Sequence, residues 1–112
     1  MILQVGSNKI KIVVAQNYWV RLKGLMGVSP IYYGMLFPAC NAIHTFFMKE
    51  AIDVIGLNEH NQIIYMYRNL PKNQIIHIKE DIKKTSILEL PQNTSKDFQM
   101  GNILFFEDED IV

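Results

Sequence analysis

Apolar and polar side chains alternate most clearly at Lys9-Ile10-Lys11-Ile12-Val13-Val14-Ala15, a β-branched run that suits a half-buried strand. Gly6-Ser7-Asn8 supplies a turn ahead of it. From Asn17 the period changes: Tyr18, Trp19, Leu22, Leu25 and Met26 recur at steps of three and four, while Arg21 and Lys23 project elsewhere. This spacing predicts one short amphipathic helix over residues 17–26, capped by Asn17, ended at Gly27 and barred from extension by Ser29-Pro30. Runs of strand length follow at 35–37, 43–48, 53–57, 62–67, 74–78, 85–90 and 103–106, separated by residues that favour turns.

Many short strands with one early helix predict an all-β fold, an antiparallel sandwich or partly open barrel with the helix plugging one end. Asn58-Glu59-His60-Asn61 reads as a hairpin connection, and Gly101-Asn102 as the turn before the last strand. Residues 93–98 read as a helical turn with Phe98 facing inward.

Composition narrows this picture. The 112 residues suit a single domain spanning 1–112, with a core over about 9–106 and an acidic tail at 107–112. Eleven basic and eleven acidic side chains cancel, so no net field favours a phosphate backbone or an anionic membrane surface. No apolar run approaches the ~20 residues of a membrane helix. The expectation is a cytoplasmic protein with neither nucleic acid nor membrane as partner. One cysteine, Cys40, cannot form an intramolecular disulfide, which fits a reducing compartment.

Candidate chemistry gathers between Cys40 and Lys49. Cys40, His44 and Met48 lie four residues apart and offer thiolate, imidazole and thioether, a set preferred by copper(I). On a strand such positions span roughly 13 Å, too far to meet at one ion without a turn. Cys40 with His44 also suggests a nucleophile and base, yet no nucleophile elbow, phosphate-cradling glycine loop or resolving cysteine accompanies them. A polar cluster of Arg21, His44, Lys49, Asp53 and Glu89 has two readings: the mouth of a pocket, or an ion pair fastening the helix to the sheet. In the strand reading Glu89 shares a face with Ile87, is only partly exposed and therefore needs a partner, for which Arg21 is the natural choice. Trp19, Met26, Met35, Phe47 and Met48 are the expected lining of a hydrophobic cleft, as an alternative to plain core.

Arg21-Leu22-Lys23-Gly24-Leu25-Met26, Gly34-Met35-Leu36-Phe37, His44 to Lys49, Ile52-Asp53-Val54-Ile55, Leu88-Glu89-Leu90 and Gly101 occur in that order. Together they resemble domain-of-unknown-function family 192, a small bacterial and archaeal family. The resemblance implies an all-β, sandwich-like domain with a short helix, and brings no biochemical activity. Its motif positions fall on Arg21, Gly24, Met26, Gly34, Met35, Phe47, Met48, Asp53, Glu89 and Gly101; Asn102 replaces an aspartate and Phe47 a tryptophan common among relatives.

The function expected is a non-enzymatic binding or accessory domain without a cofactor, using a cleft between helix 17–26 and segment 43–53 for a small ligand or protein partner. Its rivals are an acid/base enzyme with His44, Asp53 and Glu89 acting beside Arg21 as anion binder, and a soft-metal site at Cys40, His44 and Met48.

Overall fold

The computed structural model describes residues 1–109. The chain opens with β1 (Ile2–Val5) and β2 (Asn8–Val14), an antiparallel hairpin turned at Gly6 and Ser7. There follow α1 (Tyr18–Lys23), β3 (Gly34–Phe37), β4 (Ala42–His44), β5 (Ile52–Leu57) and β6 (Ile63–Leu70). Next come β7 (Ile75–His77), a single 3-10 turn at Ile82–Lys84, β8 (Ser86–Pro91) and β9 (Phe106–Glu107). Seven strands form one curled half-barrel sheet in the order β6-β5-β8-β3-β2-β1-β9, and β4 pairs with β7 in a separate ribbon. The all-β class read from the sequence is the class observed.

Several local expectations change. The pairing is antiparallel except between β2 and β3, where Ile12, Val13 and Val14 run parallel to Gly34, Met35 and Leu36. Parallel neighbours need a crossover, and α1 with its flanking turns is that connection. The helix is shorter than its periodicity suggests. Asn17 caps it, its side chain accepting the Val20 N–H at 2.9 Å, but the stop is Gly24 rather than Gly27. Gly24 has φ 51°, open to glycine at no steric cost, and its N–H donates to the Val20 carbonyl at 2.8 Å.

The strand expected over 43–48 ends after His44. Thr45 is buried and bound on all sides: its hydroxyl donates to the Pro71 carbonyl at 2.8 Å and accepts the Gln74 N–H at 2.8 Å. Its own carbonyl accepts the Met48 N–H at 3.3 Å, closing a turn in which Phe47 takes φ 62°. Ile103 forms only an isolated bridge to Gln62, so the last strand starts later than expected. Residues 93–98 close as successive turns, with the Lys96 N–H donating to the Asn93 carbonyl and the Phe98 N–H to the Ser95 carbonyl, and Phe98 packs inward as expected. Of the acidic stretch 107–112, Glu107 lies in β9 with its carboxylate 3.0 Å from Lys9, and Glu109 approaches Lys11 at 3.9 Å. Asp110, Ile111 and Val112 lie outside the described residues.

Apolar side chains cover both faces of the central strands. Ile52, Val54, Met35, Phe37 and Ile87 join one core with Leu25 and Met48; Ile55, Leu88 and Leu90 join the other with Leu3, Ile12 and Leu104. Each fully buried Leu or Ile contributes roughly 1.5–3 kcal/mol over its exposed state. Gly34 lets the second core close against β3, because a Cβ there would come within 2.7 Å of Ile12 and 2.8 Å of Leu90. Two carboxylates interrupt this apolar pattern, Asp53 on β5 and Glu89 on β8.

Candidate functional site

Strands β5 and β8 run antiparallel, with Val54 opposite Glu89 and Asp53 opposite Leu90. Adjacent strand positions point to opposite faces, so the two acids diverge. Asp53 is fully buried and saturated with donors. Its Oδ1 accepts the Asn69 N–H at 2.9 Å, and its Oδ2 accepts the Ser95 N–H at 3.0 Å and the Ser95 hydroxyl at 2.6 Å. Arg68 secures the same loop, donating to the Ser95 carbonyl at 3.0 Å and the Phe98 carbonyl at 2.6 Å. Asp53 is thus the anchor of a loop, outside the cluster in which the sequence placed it.

Glu89 is different. It is 3% exposed, and among the described residues no donor or cation lies within hydrogen-bond or ion-pair reach of its carboxyl. Burial pushes its pKa up to about 8, since a carboxylate there forfeits hydration without gaining a partner. Its Oε1 rests against Gly24, where a Cβ would lie at 3.3 Å. The carboxyl borders a pocket of about 340 Å³, inside the size range of small-molecule sites.

Three stretches build the pocket wall. One is α1 and the turn after it, giving Tyr18, Arg21, Leu22, Lys23, Gly24, Leu25 and Met26; the second is Phe37 with Cys40, Ala42, Ile43 and His44; the third is Met48. Glu89 completes the lining from β8. Arg21 does not pair with it. The guanidinium donates instead to the backbone carbonyls of Pro38 at 2.7 Å, Ala39 at 3.3 Å and Ala15 at 3.4 Å, tying α1 to the strand ends beneath it. The expected Arg21 ion pair is therefore replaced by a fork onto main-chain oxygens.

His44 reaches the pocket with its Nδ1 already accepting the Phe46 N–H at 3.2 Å, which leaves Nε2 as the free ring nitrogen. The Cys40 thiol donates to the Ala42 carbonyl at 3.2 Å. Among the described residues no three of His, Cys, Asp and Glu converge as metal ligands.

Other expected members fall elsewhere. Lys49 is exposed and takes no part in the wall. Trp19 and Phe47 are 74% and 79% exposed, because α1 buries none of its residues and Phe47 sits at the tip of the Thr45 turn. Met35 lies in the core beside the pocket and does not line it, whereas Met26 and Met48 do. Phe37, an aromatic the sequence also offered for a cleft, does line the pocket, whereas Gly24 and Ala42 were missed as lining because neither carries a chemical signal of its own.

The sequence profile of DUF192, described as an uncharacterized ACR, matches residues 1–102. The chain belongs to the DUF192 family. The match begins earlier than the resemblance read from the motifs, taking in β1 and its hairpin. No curated protein matches the chain. Two crystal structures share the fold of this DUF192 chain. One is a protein of unknown function from Novosphingobium aromaticivorans DSM 12444, with TM-score 0.76 and 14% identity, covering 94% of this chain and 82% of that one. The other is a candidate transcription regulator from Sinorhizobium meliloti 1021, with TM-score 0.72 and 20% identity, covering 93% of this chain and 89% of that one. At these identities the likeness is one of architecture. No helix among the described residues is long and apolar enough to cross a membrane.

Proposed function

We propose that this protein is a small-ligand-binding domain and not an acid/base enzyme. One observation carries the reading: the pocket beneath α1 is mostly apolar and is bordered by the carboxyl of Glu89, a residue 3% exposed, which meets no donor among the described residues and opens into the cavity. Buried polar groups are normally satisfied, so a carboxyl left open to a cavity is a fitting place for a group brought by a ligand. Acid/base catalysis asks for two titrating groups set against each other across a reacting centre. Asp53 faces the other side of the sheet and is closed in by its own donors, so the expected set of His44, Asp53 and Glu89 does not assemble around this pocket.

A second reading keeps one supporting observation, since Cys40, His44 and Met48 all border this same pocket. Copper(I) titration that leaves the melting temperature and ultraviolet spectrum unchanged removes it.

The binding reading is tested by a thermal-shift screen of small aromatic and aliphatic compounds against the wild type and Ala42→Trp. Ala42 is exposed on β4 at the pocket wall, so tryptophan there occludes the space with little disturbance of the core. Binders raise the melting temperature of the wild type by mass action and leave the occluded variant unmoved. Shifts that persist in Ala42→Trp, or a screen without any binder, overturn the reading.

A further inference from the structure

The pocket's single buried carboxyl also restricts what chemistry can fill it. We infer that the ligand has an apolar body and one cationic N–H head group, an amine or amidine, which pairs with Glu89 at the pocket floor. This rests on the small-ligand reading above and names the ligand class for the same site.

A carboxyl carries two oxygens with several lone pairs, and at Glu89 none of them meets a donor among the described residues. A ligand carbonyl or ether accepts at most the one O–H of the neutral acid and leaves the other oxygen bare. An anionic ligand meets repulsion or must share a proton. An ammonium or amidinium presents two or more N–H donors and satisfies both oxygens in a charge-assisted pair.

The surroundings agree. Phe37 lies against the same Gly24 position as Glu89 Oε1, and Tyr18 also lines the pocket, so aromatic rings stand near the place a cation would take. The charged and titratable groups facing the pocket are Arg21 and Lys23 from the helix, Tyr18 at its start, and Cys40 and His44 from the facing segment. Arg21 spends its fork on three backbone carbonyls, and Lys23 is exposed to screening solvent. Neither lies within ion-pair reach of Glu89. Strands β3 and β5 present Met35, Phe37 and Val54 on this face, with no ionisable group among them.

Binding is therefore coupled to a proton. In the empty pocket burial holds Glu89 protonated up to about pH 8. When the ammonium enters, the O–H bond of the carboxyl breaks, its electron pair stays on oxygen, the proton leaves to solvent, and a carboxylate–ammonium pair remains. Affinity for an alkylammonium, itself protonated up to a pKa of about 10, rises with pH by up to about tenfold per unit below the Glu89 pKa of about 8 and levels off above it.

The test uses benzylamine and its near-isostere benzyl alcohol as probes, titrated calorimetrically into the full chain at pH 7 in two buffers of different ionisation heat. Glu89→Gln is titrated in parallel, with circular dichroism as the check on folding. Expected are at least a tenfold preference for the amine, release of about one proton per amine bound, and loss of that preference in Glu89→Gln. Equal binding of both probes, or amine binding undiminished in Glu89→Gln, overturns the ligand class and leaves the binding reading standing. If the wild type binds neither probe, the ligand class falls, and the compound screen with the occluded variant decides the binding reading separately.

Discussion

Asp53 and Glu89 occupy consecutive pairs on neighbouring strands, are both buried, and have opposite fates. On one face of the sheet, three donors from Asn69 and Ser95 close around Asp53, and Arg68 locks the loop that supplies Ser95. On the other, Glu89 meets Gly24, Phe37 and open space. Burial alone therefore does not separate an acid that anchors the chain from one left open to a pocket. The donors do, because an acid with donors holds the chain together and an acid without them is free to hold something else.

The comparison breaks most easily at Asp53. Replacing Asp53 by Ala strands the Ser95 and Asn69 donors and is expected to destabilise the fold by roughly 3–4 kcal/mol in urea denaturation. A loss under about 1 kcal/mol would erase the contrast.

Next in size is Glu89→Gln, with the opposite sign. The folded-state pKa of Glu89, about 8, lies above the ordinary value of 4.5 expected when unfolded. Between those values the unfolded state binds fewer protons, so stability is greatest below the lower one and falls as pH rises to the upper one. Melts of the wild type should show this decline and then level off. The glutamine variant lacks that contribution, and at pH 8 it should be the more stable protein, by on the order of 2 kcal/mol. A glutamine variant less stable at pH 8 would mean that Glu89 is a second Asp53.

Gly24→Ala sharpens the boundary between helix and pocket. Its φ of 51° and the 3.3 Å approach to Glu89 Oε1 and Phe37 predict a cost of about 1–2 kcal/mol, together with a narrower pocket and weaker ligand-induced thermal shifts. The smallest effect belongs to Trp19→Ala. At 74% exposure this ring supports little, and a change within about 0.5 kcal/mol is expected, despite tryptophan being the bulkiest apolar side chain of the helix.

The alternation at Lys9 to Ala15, the cap at Asn17 and the turn residues 58–61 disclosed strands, helix and hairpin, because each signal is local. The parallel β2–β3 pair was hidden, since register between distant strands leaves no trace in either strand's own pattern. Thr45 shows the same limit. Its β-branched side chain favours a strand, and contacts with Pro71 and Gln74 overrule that preference. At the site, Arg21, His44 and Glu89 were recognised as chemistry and do meet at one pocket, while their pairing was misjudged. Charge complementarity suggested Arg21 with Glu89. The sequence could not reveal that three carbonyls at strand ends would claim the guanidinium first. Nor could it show that Asp53, one position from the shared face, would point away.

The strand that carries Glu89 also has a place in time. β8 lies between β5 and β3, both of which precede it in the chain, so the sheet becomes continuous only once β8 is in place. During synthesis β2–β3 and β5–β6 can pair as soon as they emerge, yet each then offers an unsatisfied edge to whatever is nearby. Those edges stay open until residues 86–91 have left the ribosome, and this interval is when a nascent chain is most exposed to misassembly. Arrival of β8 closes both edges in one step and delivers the carboxyl to the pocket. No shorter nascent chain contains the site.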